Sequence, residues 1–93
     1  MSSLFDVRLS NKAEKFIRKE ADEKLKARLK ELFEILRFEP VPAKHYDVRK
    51  IEGQESSYRI RLSSFRVSYK VFWEEKIIRV AQIERRDEHT YRA

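Results

Sequence analysis

Residues 58–71 read Tyr-Arg-Ile-Arg-Leu-Ser-Ser-Phe-Arg-Val-Ser-Tyr-Lys-Val. Tyr58, Ile60 and Leu62 alternate with Arg59 and Arg61; after Ser63-Ser64, Phe65, Val67, Tyr69 and Val71 alternate with Arg66, Ser68 and Lys70. A period of two is strand period, and a two-residue connection between such runs makes an antiparallel hairpin. Because successive strand side chains point to opposite faces, the apolar set builds core on one face and the cations share the other. From Ser56 to Trp73 there is no carboxylate, so nothing within the segment neutralises Arg59, Arg61, Arg66 and Lys70. Such a face suits a polyanion.

Upstream of the hairpin, Phe5, Val7 and Leu9 alternate with Asp6 and Arg8, a short N-terminal strand. Ser10 or Asn11 then offers an N-cap, with Glu14 placed to assist it. Ala13, Phe16 and Ile17 form one helical stripe; Leu25, Leu29, Leu32, Phe33 and Leu36 form a second, rotated from the first by more than a quarter turn. That offset predicts two helices, about 11–21 and 23–38, with Asp22 capping the second; one continuous bent helix is the alternative. Pro40-Val41-Pro42 stops the second helix. Tyr46 to Ile51 can extend, and Glu52-Gly53-Gln54-Glu55 reads as a turn. Beyond the hairpin, Phe72 to Glu75 turns into a last strand over Lys76 to Ile83. Its apolar residues Ile77, Ile78, Val80 and Ile83 do not alternate, which predicts either burial on both faces or a bulge near Gln82. The order strand, two helices, three strands is an α+β arrangement: an antiparallel sheet with both helices on one face and the arginines on the other, as a concave or flat basic platform.

Composition narrows the function. Ninety-three residues suit one domain, 1–93, with a single core. The net charge of +6 is unevenly placed: residues 1–58 carry 13 Lys/Arg and 11 Asp/Glu, residues 59–93 carry 9 and 5. No apolar run approaches a bilayer span, and the start lacks a signal peptide's basic and apolar regions, so a cytoplasmic protein is expected. With no Cys and two His, disulfides and zinc-thiolate sites are ruled out and a His-rich metal site is disfavoured; no metal or other cofactor is expected. His45 and Trp73 read as a surface residue and a hairpin-end packing residue; Tyr46, Asp47 and Arg49 suggest no role.

The order of elements, the hairpin preceded by Lys50-Ile51-Glu52-Gly53, and the terminal Arg85-Arg86-Asp87…His89-Thr90-Tyr91-Arg92 resemble the RelE/ParE toxin superfamily, and within it the RelE branch with its archaeal members. The resemblance covers nearly the whole chain. It implies an mRNA interferase: a toxin that enters the ribosomal A site, cleaves mRNA by 2′-OH attack on the scissile phosphate, and is held inactive by a cognate antitoxin. It also implies roles. Arg59 and Arg61 fall where relatives carry two basic residues against the substrate backbone and scissile phosphate. Arg66 matches a phosphate-binding arginine, Arg85 or its neighbour Arg86 matches an arginine after the last strand, and Tyr91 matches a tyrosine that stacks on a base or assists proton transfer. Some relatives carry Lys at the first two positions, and a general-base role for such a Lys cannot pass to Arg, which stays protonated. The metal-free cleavage so implied asks arginines fixed on strands to meet the charge that builds on the phosphoryl group, one proton to leave the ribose 2′-OH and another to reach the 5′-oxygen. The candidates for that transfer are Glu88, His89 and Tyr91 in the tail, of which His89 alone has an unperturbed pKa near neutrality. The competing implication is a ParE-like toxin that blocks a DNA topoisomerase without chemistry. A plain RNA-binding module fits less well, because Phe72 is the one clear aromatic on the basic face.

Overall fold

Two serine- and aspartate-initiated helices separate an N-terminal strand from four consecutive strands. In the computed structural model, which describes residues 4–86, these are β1 (Asp6–Leu9), α1 (Asn11–Glu20), α2 (Glu23–Phe38), β2 (Asp47–Lys50), β3 (Ser57–Leu62), β4 (Phe65–Phe72) and β5 (Ile77–Arg85). Ser10 caps α1 by accepting from the Ala13 amide, and Asp22 caps α2 by accepting from the Leu25 amide. The helices are therefore two, as the offset stripes require; Ala21, in extended conformation between them, breaks the helix without Gly or Pro.

The sheet runs β1-β5-β4-β3-β2, and four of its strands are antiparallel neighbours. The α+β arrangement expected from the sequence is present, with a correction at each edge. β1 joins parallel to β5, so the sheet is mixed: the helices carry the chain from β1 to the far edge strand β2, and the three antiparallel turns that follow bring β5 back beside β1 running in the same direction. At the other edge Asp47–Lys50 forms a full strand, pairing Arg49 with Arg59 and Asp47 with Arg61. Among the described residues no helix is long and apolar enough to cross a membrane.

The core lies between the sheet and the helices. Leu25, Leu29, Leu32 and Leu36 of α2 and Ala13 of α1 are buried against Ile60, Leu62, Val67, Val71, Ile78, Val80 and Ile83. Tyr69 is buried among them and donates its hydroxyl to the Pro40 carbonyl at 2.7 Å. Burial, and secondarily the neighbouring Tyr58, raises its pKa well above the usual tyrosine value.

The uneven apolar pattern of the last strand has one cause. Ser68 pairs with Gln82 but Tyr69 pairs with Val80, leaving Ala81 as an extra residue, a β-bulge. Before it Ile78 and Val80 face the helices; after it Ile83 does, one residue out of phase. The bulge is tied to the N-terminus of α1. The Ser10 amide donates to the Val80 carbonyl at 3.0 Å, and the Ser10 hydroxyl donates to the Ala81 carbonyl at 2.7 Å while accepting the Ala13 amide at 3.0 Å. One hydroxyl thus satisfies a helix start and a strand irregularity together.

Candidate functional site

The sheet face away from the helices collects the cations. On β3 and β4 the register sets Arg61 directly opposite Arg66 and Arg59 opposite Ser68; on the other side Arg59 meets Arg49 and Arg61 meets Asp47 of β2. Arg86, just past β5, is drawn over the hairpin turn by its amide, which donates to the Ser64 carbonyl at 2.7 Å. The turn itself is tight, with Ser63 in the left-handed region at a φ of 60°. The result is an open cleft of about 200 Å³ lined by Asp47, Arg49, Arg59, Arg61, Arg66 and Arg86.

Five guanidinium groups around one small cleft are electrostatically underpaired. Like charges directly opposite on antiparallel strands repel, and this occurs twice, at Arg61/Arg66 and Arg49/Arg59. Asp47 is the one carboxylate in the lining; it accepts from Arg49 Nε at 3.2 Å and lies 4.0 Å from Arg61 Nη1. Glu84, opposite Arg66, accepts instead from the Gln82 amide at 3.1 Å. Arg59 Nε is buried and has no acceptor among the described residues. A buried, charged donor without an acceptor costs more than a made hydrogen bond gains, so an anion entering beside Arg59 is favoured. Planar forked donors fixed on strands bind phosphate bidentately and in fixed orientation. Among the described residues no cluster of three or more His, Asp or Glu side chains offers a metal a ligand set.

Of the residues expected at the site, Arg59, Arg61 and Arg66 come together and Arg86 joins them. Arg85 does not. It pairs with Phe65 on the helix side of the sheet, its guanidinium carbon 4.9 Å from the ring centre, and Phe65 in turn packs edge-on against Phe16 of α1. The bulge decides between the two neighbours, since the extra residue at Ala81 turns position 86 to the basic face. His89 and Tyr91, with Glu88, lie outside the described residues. Asp47 and Arg49 were without a role in the sequence; their shared parity within 46–51 was visible, but only the pairing with β3 brings them to the cleft. His45 is exposed, 3.5 Å from Glu39, and Trp73 packs edge-on against Phe5 at the hairpin end.

Comparison with known proteins agrees with this fold. A family model described as the ParE toxin of the type II toxin–antitoxin system parDE matches residues 7–90. The candidate toxin RelE1 of Methanocaldococcus jannaschii is 38% identical over 60 residues, which cover 64% of this chain and 67% of that protein. The RelE–RelB complex of Pyrococcus horikoshii contains a chain that superposes with a TM-score of 0.83 at 31% identity, over 91% of this chain and 98% of that one. The intact E. coli RelBE toxin–antitoxin complex shares the fold, with a TM-score of 0.75 at 21% identity over 90% and 99% of the two chains. A basic cleft on an α+β scaffold, a family match over nearly the whole chain, and this likeness to an archaeal RelE place the chain in the ParE toxin family of type II toxin–antitoxin systems, as a RelE-like member.

Proposed function

We propose that the protein is a ribosome-dependent mRNA endonuclease that cleaves in the A site by 2′-OH attack on the scissile phosphate. The observation that carries this reading is the cleft itself: Arg59, Arg61, Arg66 and Arg86 converge there, and the buried Arg59 Nε finds no acceptor among the described residues. In this mechanism Arg61 and Arg66, facing each other across the hairpin, grip the non-bridging oxygens of the scissile phosphate. Arg59 and Arg86 meet the charge that grows as the 2′-oxygen adds and the 5′-oxygen leaves, giving a 2′,3′-cyclic phosphate and a free 5′-OH. None of the arginines can act as base at physiological pH. Proton transfer falls to Tyr91 or His89, in the tail that follows Arg86, with Arg85 outside the reacting group. Modest acid–base equipment suits an enzyme whose ribosome orients the nucleotide, because positioning alone supplies a large share of such a barrier. An acidic antitoxin laid over the cleft would silence it by pairing the same guanidinium groups.

The test is a cleavage assay on translating ribosomes with primer extension, comparing the wild-type chain with Arg66→Ala and Tyr91→Ala. A-site cuts by the wild type that vanish in Arg66→Ala support the reading, and loss in Tyr91→Ala assigns the tail a part in proton transfer. The family model that matches, a ParE toxin, favours a second reading, inhibition of a DNA topoisomerase without chemistry. Toxicity with DNA damage, retained in Arg66→Ala and without ribosomal cuts, would establish it.

A further inference from the structure

On the same sheet face as the cleft, a second set of cations stands in a row across three strands. Lys70 of β4 is opposite Arg79 of β5, and Arg79 is opposite Arg8 of β1. All three are exposed. Arg8 pairs with Asp6 at 2.8 Å, while Lys70 and Arg79 have no ion pair among the described residues. Neighbouring strands lie about 4.8 Å apart, so the row runs roughly 10 Å across the sheet, and its Lys70 end is about 13 Å along β4 from Arg66. Two direct like-charge contacts in succession destabilise the sheet locally, and among the described residues a carboxylate, Asp6, offsets Arg8 alone. Beside the row, Phe72 and Ile77 are cross-strand partners on this face; Phe72 is partly exposed and lies 5.2 Å below the Lys70 ammonium.

We propose that the Lys70–Arg79–Arg8 row is a second backbone-binding track, on which an RNA strand engaged in the arginine cleft continues across the sheet. The inference rests on the nucleic-acid reading of the cleft and extends it to residues outside that site. Phosphates lie along the cation row, and a base can stack on Phe72, the arrangement that sequence-tolerant single-strand binders use. A polyanion of regularly spaced charges continuous with the cleft fits this row. An isolated anion would need only one of the two sites.

The test compares two uncleavable 2′-O-methyl RNA probes by fluorescence anisotropy: a trinucleotide, which fills the cleft alone, and a dodecamer, which reaches the row. In the double variant Lys70→Ala/Arg79→Ala, dodecamer affinity is expected to fall about tenfold and its salt slope to flatten by about 1.4, the loss of two single-strand phosphate contacts. Trinucleotide affinity should stay within about twofold. Circular dichroism melts of the variant check its fold, and Phe72→Leu, which keeps an apolar side chain without the ring, should weaken the dodecamer and not the trinucleotide. Equal binding of both probes by the double variant and the wild type overturns the track and leaves the cleft reading intact. Wild-type protein that binds neither probe at low salt overturns both. A double variant that keeps dodecamer binding but loses binding to an acidic polyglutamate peptide would make the row a protein-docking surface and overturn the proposal.

Discussion

Replacing Ser10 with Ala should cost more than a helix cap ordinarily does. The buried hydroxyl accepts the Ala13 amide and donates to the carbonyl of the bulged residue, Ala81. Loss of an N-cap costs about 1 kcal/mol, and an interior carbonyl left without its donor costs about 1–2 kcal/mol more. A total of about 2–3 kcal/mol is a large part of the stability of a domain this size and corresponds to a fall in Tm of roughly 10–20 °C. Urea or thermal denaturation followed by circular dichroism measures it. Ser10→Asp separates the two roles: an ionised Asp caps the helix as well as Ser does but cannot donate to Ala81, so it should recover at most about 1 kcal/mol. Ser10→Thr, which keeps the hydroxyl, should recover most of the loss. A loss under about 0.5 kcal/mol, typical of an ordinary surface change, or full recovery in Ser10→Asp, would show that the hydroxyl does not couple helix to bulge.

Further expectations concern the cleft and the turns. Arg86→Ala should weaken binding of a short RNA probe about tenfold, as loss of a phosphate contact does, whereas Arg85→Ala should leave it within about twofold; the reverse order in an anisotropy titration would contradict the placement of the two side chains. Asp47→Asn removes the one carboxylate lining the cleft and should tighten the same probe about threefold, with a steeper salt dependence. Ser63→Gly, at a φ of 60°, should raise stability by about 0.5–1 kcal/mol, since glycine adopts that conformation without steric cost. Tyr69 has a pKa raised above 10.0 in the folded chain, so its contribution is complete below pH 10 and is lost as pH rises further. Stability should therefore decline above pH 10 by up to about 1.4 kcal/mol per unit from this group. In Tyr69→Phe, whose loss of the Pro40 hydrogen bond costs about 1 kcal/mol at neutral pH, that part of the decline should vanish in denaturation series at pH 8, 10 and 11.

The elements that declare themselves locally were legible in the sequence. The Tyr58–Val71 alternation defined the hairpin and its basic face, and Asp22 marked the second helix because capping acts over three residues. What depends on pairing was not legible. Val48 packs on the core while Asp47 and Arg49 turn outward, but their four-residue strand carries too little pattern to announce an edge. The parallel seating of β1 depends on where the helical crossover delivers the chain, and no residue of β1 encodes that. The choice between Arg85 and Arg86 hung on a single extra residue. Gln82 stood near the break in alternation, yet only the partner strand reveals that Ala81 is the residue without one.

That extra residue also changes what the chain tolerates. Removing Ala81 would restore a regular ladder and leave every side chain on either side facing as it does now: Arg79 and Arg86 still outward, Val80 and Ile83 still inward. Keeping Ala81 but ironing the strand flat would do the opposite, turning Ile83 to solvent and Gln82 into the core, and exchanging Arg86 for Arg85 at the cleft. The two consecutive arginines make the basic site indifferent to that slip, because one guanidinium replaces the other. The apolar layer has no such duplicate at Ile83. Damage to the bulge would therefore be felt first as lost stability and only afterwards as lost binding, so a survey of single-residue insertions and deletions along β5 would find the fold, and not the cleft, to be the more exacting constraint on the reading frame of this strand.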